Sequence, residues 1–267
     1  MFKTLQSFQR SFFQTSARSA ALFAGFMSQD SRMVKDLPRR MYKPAYDSWP
    51  YSPADFKRMD ESTDDQFYTS PRFVNHIDDY AIAALKNYYE QTLPHRGRIL
   101  DLCSSWVSHF SPELDVAVSK KELQVTGIGM NRRELEANQS LTDFIVRDLN
   151  TVDKPCQGLK SGYDAVTCVV SIDYMTKPLE LLRAVHEVTA PGGRIHLAIS
   201  NRCFPTKAVG RWLKLDEDQR LNMIGDYLWF SGWKDPEIVT LKDVGGWTDP
   251  LWIVTAVKAK DTGKSEL

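Results

Sequence analysis

No apolar run in the 267 residues approaches the length of a membrane span, so no transmembrane helix is expected. Cys-x-x-Cys pairs are missing as well. The four cysteines, Cys103, Cys156, Cys168 and Cys203, are scattered, which argues against a disulfide framework or zinc ribbon. They read as reduced thiols, with Cys168 inside a buried strand, and no metal site is expected. Neither sign of charge is in excess: the formal net charge is zero, and no basic run offers a nucleic-acid footprint. Internal repeats and low-complexity tracts are also absent, which removes repeat architectures.

What remains is the composition of a globular chain, 42% hydrophobic and 25% charged, long enough to bury one large α/β core. Charge is nevertheless unevenly placed. The first 29 residues carry Lys3, Arg10 and Arg18 with no acid, many hydroxyl residues and spaced phenylalanines. That composition predicts a mitochondrial transit peptide over residues 1–28, addressed to the matrix; a merely disordered N-terminus is the alternative. Its removal would leave a net charge of about −3. Residues 29–70 form an arm in which Pro38, Pro44, Pro50 and Pro53 exclude a regular helix. The aromatics Tyr42, Tyr46, Trp49, Tyr51 and Phe56 suggest that the arm packs on something, a protein partner included.

Val74, Ile77, Ala81, Leu85 and Tyr88 recur at helical spacing and predict a helix from Pro71 to Leu93, ended by Pro94. From Arg98 onward short apolar runs alternate with helical periodicity, which predicts a parallel sheet with right-handed crossovers. The expected strands are 98–102, 124–129, 144–148, 164–170, 193–199, 237–242 and 251–258. Helices are expected around 107–120, 131–138, 177–189, 205–213 and 220–230. The last two strands are joined by a turn-rich link without a helix, a hairpin signal. One domain over 71–260 and a disordered tail over 261–267 complete the organisation.

Ligands of open α/β sheets bind beyond the carboxyl ends of the strands. The segments there are Asp101-Leu-Cys103-Ser104-Ser105-Trp106, Gly127-Ile-Gly129-Met-Asn131, Arg147-Asp148-Leu149-Asn150, Ser171-Ile-Asp173-Tyr174 and Ser200-Asn-Arg202-Cys-Phe-Pro-Thr-Lys207. Together with Tyr163-Asp164 and Pro191-Gly192-Gly193, this series resembles the class I S-adenosylmethionine (SAM) dependent methyltransferases over roughly residues 95–258. Phe67-Tyr68, the Pro71–Asp79 stretch and the Asp-Leu-Cys-Ser-Ser-Trp run resemble a type 11-like group of that family. The resemblance implies a Rossmann-like seven-stranded sheet, mostly parallel with an antiparallel last strand, and SAM as cofactor. It implies cofactor contacts from Asp101, Cys103, Ser104, Ser105, Gly129, Asn131, Asp148, Leu149 and Ser171.

Two departures stand out. Cys103, Ser105 and Val107 occupy positions where the family has glycine, so the turn survives only if no positive φ is needed there. Gly129 stands where the family places a ribose-binding acid at the end of strand two, leaving Asn131 to supply a weaker contact.

Methyl transfer from a sulfonium is accelerated by positioning, and a base is needed only when the acceptor must lose a proton. His109, Asp173 and Tyr174 are the candidates for that work. Arg72, His76, Arg202 and Lys207 are candidates for binding an anionic group on a small-molecule acceptor. The alternative is a methyltransferase-like assembly factor without turnover, docking through the aromatic arm. RNA methylation and a nicotinamide dehydrogenase are disfavoured by the missing basic run and the missing glycine-rich turn.

Overall fold

The computed structural model describes residues 33–151, 153–245 and 247–260; the expected transit peptide and tail lie outside them. The chain divides after Leu37. In the N-terminal unit, Val34–Asp36 form one 3-10 turn.

From Pro38 onward, eight strands join in one sheet: β1 (Arg39–Met41), β2 (Gly97–Leu102), β3 (Leu123–Gly129), β4 (Asp143–Val146), β5 (Tyr163–Val169), β6 (Thr189–Ile199), β7 (Lys234–Lys242) and β8 (Leu251–Val257). Their order is β1-β7-β8-β6-β5-β2-β3-β4. β4, β3, β2, β5 and β6 pair in parallel, whereas β8 is antiparallel to both β6 and β7. This is a Rossmann-like sheet, mostly parallel with an antiparallel last strand, as expected. The eighth strand comes from the arm, where β1 pairs antiparallel with β7.

The helices are α1 (Asp64–Phe67), α2 (Asp79–Thr92), α3 (Pro112–Ser119), α4 (Arg132–Ala137), α5 (Pro178–Val188) and α6 (Glu217–Phe230). Several differ from the sequence expectation. α2 starts at Asp79 rather than Pro71 because the Asp78 side chain caps it, accepting from Ala81 N, while Asp249 and Asp78 exchange backbone–carboxylate hydrogen bonds. Residues 71–78 therefore lie outside the helix, in a bent loop. α3 starts at Pro112, capped by Ser111, because His109 sits at φ +56°, a conformation no helix accommodates. Val107 is therefore outside any helix. No α-helix forms over 205–213: the backbone N–H groups of Val209, Gly210 and Arg211 donate instead to Asp173, Lys57 and Asp55.

The arm is fastened to α6. The hydroxyls of Tyr42 and Tyr51 both donate to the buried carboxylate of Asp226, and Trp49, Tyr51 and Phe56 pack around Tyr227. Tyr42, Tyr51 and Phe56 are buried. The arm packs, as expected, and what it packs on is the chain's own α6, while Tyr46 stays exposed. Gly225 makes the contact possible, since a β-carbon there would lie 2.2 Å from the Tyr42 ring.

Gly225→Ala should therefore destabilise despite its better helix propensity, which is worth only about 1 kcal/mol against about 1–3 kcal/mol for overpacking. The expected fall in Tm is several degrees, at about 2–4 °C per kcal/mol. An unchanged or raised Tm in a circular dichroism melt would refute the packing.

Candidate functional site

β2, β3, β4 and β5 end on one side of the sheet, and the strand order reverses between β2 and β5. A cavity of about 290 Å³ opens at that switch point. Three non-glycine residues in its lining hold left-handed backbone: Cys103 (φ +53°), His109 (φ +56°) and Val170 (φ +40°). For a β-branched residue such as Val170 this is a genuine outlier. Such conformations cost about 1–3 kcal/mol each and cluster at ligand sites.

The turn after β2 thus does require positive φ, at Cys103. It is held by a buried carboxylate instead of by glycine. Asp101 accepts from Ser104 Oγ (2.7 Å), Ser108 Oγ (2.8 Å) and Thr167 Oγ1 (2.8 Å). Burial raises its pKa, and the three hydroxyls oppose that rise. Ser104 N donates to Ile128 O at 2.7 Å, laying the turn against the end of β3. The hydroxyls of Ser104 and Ser105 are turned to carboxylates of the chain itself, to Asp101 and Glu134.

Packing of the turn explains the missing acid on strand two. A β-carbon on Gly129 would lie 2.1 Å from the Ser104 carbonyl oxygen, so no side chain fits there. Asn131 is no substitute: its Oδ1 caps α4 through Arg133 N and Glu134 N, and its Nδ2 donates to Tyr68 O. The carboxylate in the cavity lining on this side is Glu134, which the sequence reading missed. It is buried, accepting from Arg72 N (2.7 Å) and Ser105 Oγ (2.8 Å). Asn131-Arg-Arg-Glu134 has the spacing of a helix capping box, which disguises the acid as a structural one.

Asp148, Leu149 and Ser171 line the cavity on the β4 and β5 side. Burial raises the Asp148 pKa, and its Oδ1 accepts from Asn150 N at 2.8 Å. Ser171 Oγ donates to Val169 O.

Of the three candidates for proton transfer, His109 and Tyr174 line the cavity and Asp173 does not. The Asp173 side chain is buried, its Oδ2 has no hydrogen-bond partner, and burial pushes its pKa up to about 8. It is a neutral acid at pH 7 and is not placed as a base. Burial pushes His109 down to about 4, leaving its imidazole neutral. Tyr174 accepts from Phe204 N at 2.9 Å, anchoring the loop after β6.

The four candidate anion binders also line the cavity, but two have carboxylate partners. Lys207, 1% exposed, is ringed by Asp60 (3.1 Å), Asp64 (3.3 Å) and the carbonyl of Ser62 (2.8 Å). It belongs to a buried latch with the Arg58–Asp64 pair, not to an acceptor site. Arg202 pairs with Asp249 at 2.7 Å. Arg72 and His76 both pack on Phe204, and Arg72 makes no salt bridge among the described residues.

No family model matches the chain. Among curated proteins it is similar to the ubiquinone biosynthesis O-methyltransferase of Pseudomonas aeruginosa, 26% identical over 138 residues, covering 50% of this chain and 52% of that protein. The protein of the same name from Aeromonas salmonicida is 26% identical over 111 residues, covering 39% and 44%. The chain thus spans about half the length of the curated relatives it matches. Among solved structures, the citrinin polyketide synthase CMeT domain is similar with a TM-score of 0.48 and 12% identity, covering 67% of this chain and 52% of that one. A SAM-dependent methyltransferase from Mesorhizobium loti is similar with a TM-score of 0.42 and 16% identity, covering 66% and 98%. The fold rests on the strand order described above, not on these two likenesses.

Proposed function

We propose that the chain binds SAM in this cavity and transfers its methyl group to a small molecule. The observation that carries the reading is the strained rim at the strand switch, where Cys103, His109 and Val170 are all held left-handed around one cavity. The methyltransferase sheet and the curated relatives named as O-methyltransferases support it. At about 290 Å³ the cavity lies at the lower end of small-molecule sites, about 300–1,000 Å³.

The residues present fit the cofactor. Glycine at 129 lets the Ser104 backbone lie close to the end of β3. Glu134 offers a carboxylate for ribose hydroxyls from α4, in place of the acid that cannot stand at 129. Asp148 offers one for an amino group beyond β4. SAM, when bound, supplies a methyl group made electrophilic by its sulfonium.

The chain's part is to position the reactants. Tyr68, Trp106 and Phe204 give the cavity aromatic walls, and the Asp101-centred turn fixes the floor. An oxygen acceptor must lose a proton, and the lining holds two imidazoles to receive it, His109 and His76, both pushed down by burial. Asp173 has no part in the step.

Three outcomes follow. SAM or S-adenosylhomocysteine at about 100 times Kd should stabilise the full chain by about 2.7 kcal/mol, a rise in Tm of several degrees. Glu134→Gln and Asp148→Ala should each shrink that rise; no shift at all in folded wild-type protein would overturn the assignment.

Asp173→Asn should retain methyl transfer and gain stability over wild type as pH rises. The folded pKa of about 8 lies above the unfolded value of 3.8, so the acid's stabilisation is complete below pH 3.8 and lost as pH climbs through about 8. Melts between pH 4 and 9 test this, and a constant difference across the range would contradict it.

We also propose a matrix location, on the composition of residues 1–28 alone. Fused to a fluorescent protein, that segment should direct it to mitochondria; diffuse cytosolic fluorescence would refute the location.

A further inference from the structure

Two of the four cysteines, all of them free thiols, meet at the floor of the cavity. β2 and β5 run side by side in parallel register, with Asp101 opposite Thr167 and Leu102 opposite Cys168. Side chains touch across the first of these rungs, where Thr167 Oγ1 donates to Asp101 at 2.8 Å. β2 ends at Leu102, and Cys103 follows with left-handed backbone at φ +53°, so its side chain departs from the alternation of the strand. It packs against the core cluster that holds Cys168. Adjacent strands lie about 4.8 Å apart and each residue advances about 3.3 Å, which puts the two α-carbons roughly 6 Å apart. That falls within the span of about 4.4–6.8 Å that a disulfide bridges.

The two thiols differ in access. Cys103 is half-buried and lines the cavity, whereas Cys168 is 2% exposed and does not. The pKa of Cys168 is raised well above the ordinary thiol value, first by the Cys103 side chain and then by burial, so the two sulfurs are neighbours. Cys156 and Cys203 are raised as well, first by burial, and no other thiol contributes to either. A thiol facing a cavity with a second one behind it is the arrangement of a redox-sensitive cysteine beside its resolving partner.

We propose that Cys103 is an oxidative modification site for hydroperoxides, resolved by Cys168 as a disulfide between β2 and β5 that weakens ligand binding in the cavity. The Cys103 sulfur attacks a peroxide oxygen, the O–O bond breaks, and the products are a sulfenic acid and water, or an alcohol from an organic peroxide. The Cys168 sulfur then attacks the sulfenic sulfur. The S–S bond forms, the S–O bond breaks, and the hydroxyl leaves with the Cys168 proton as water. In all, the two thiols give up two electrons and the peroxide takes them.

A covalent S–S bond is far shorter than the contact between two thiols, so the turn after β2 must move towards β5. It has little slack. The Ser104 carbonyl lies against Gly129, and Asp101 holds the hydroxyls of Ser104 and Ser108 at 2.7 and 2.8 Å. The effect on binding rests on the reading of the cavity as a SAM site; the disulfide itself does not.

The full chain is treated with hydrogen peroxide, its remaining thiols are blocked, and its peptides are mapped by mass spectrometry. A Cys103–Cys168 link is expected, reversed by dithiothreitol. In calorimetry the oxidised protein should bind S-adenosylhomocysteine about ten-fold or more weakly, with the affinity restored by reduction. Cys168→Ala should form no link and accumulate a dimedone adduct on Cys103 instead; Cys168→Ser takes its place if that variant fails to fold.

Peroxide that leaves both thiols free, or links either of them to Cys156 or Cys203, overturns the proposal. So does a Cys103–Cys168 link that leaves the affinity unchanged, or a dimedone adduct no greater in the variant than in wild type. Reduced wild-type protein that does not bind S-adenosylhomocysteine defeats the methyltransferase reading instead. The modification site is then judged on the peptide map and the dimedone adduct alone.

Discussion

The buried carboxylate of Asp64 ties together three segments that are far apart in the chain. Its two oxygens take both hydrogen bonds of Arg58, stand 3.3 Å from the Lys207 ammonium and accept from Asn150 Nδ2 at 2.9 Å. Arg58 and Asp64 come from the arm, Lys207 from the loop after β6 and Asn150 from the loop after β4. Burial by itself would raise the acid's pKa, yet its partners hold it below the ordinary carboxylate range. Removing one member of such a group leaves an uncompensated buried charge, at a cost of about 3–5 kcal/mol. All four residues line the cavity, so its wall is an ionic latch as much as an apolar one.

The floor of the cavity is organised on the same physical rule, that a buried acid must be satisfied. Asp101 gathers hydroxyls from Ser104, Ser108 and Thr167, bending the chain through Cys103 without glycine. Serine in this turn is therefore a donor to the fold before it is a ligand to anything else. The bend brings the Ser104 carbonyl against Gly129, which displaces the expected acid from the end of β3. Glu134 restores a carboxylate to the lining from the next helix. The two departures from the family pattern, no glycine in the turn and no acid on strand two, are thus one structural event.

Much of the fold was legible because it is written in local periodicity. The strands from β2 to β8 were anticipated to within a few residues, since each is a short apolar run bounded by turn residues. The starts of α2 and α3 and the missing helix over 205–213 were not. There the deciding groups are caps and backbone acceptors distant in sequence: Asp249 for Asp78, Asp173 and Lys57 for Val209 and Gly210. β1 was equally hidden, three residues in a proline-rich arm whose pairing partner lies almost 200 positions away.

The sequence by itself determined the sheet, its hairpin ending and the set of segments that meet at the switch point, because hydrophobic period and turn chemistry are local properties. Tertiary structure alone decided which of the polar side chains gathered there are spent on one another and which are left over. Lys207 and Arg72 look alike as cations in a sequence, yet one is enclosed by carboxylates and the other is stacked between aromatic rings with a donor unmatched. That difference is set by partners distant in the chain, since a charge is neutralised by whatever carboxylate folding brings to within hydrogen-bonding distance of it.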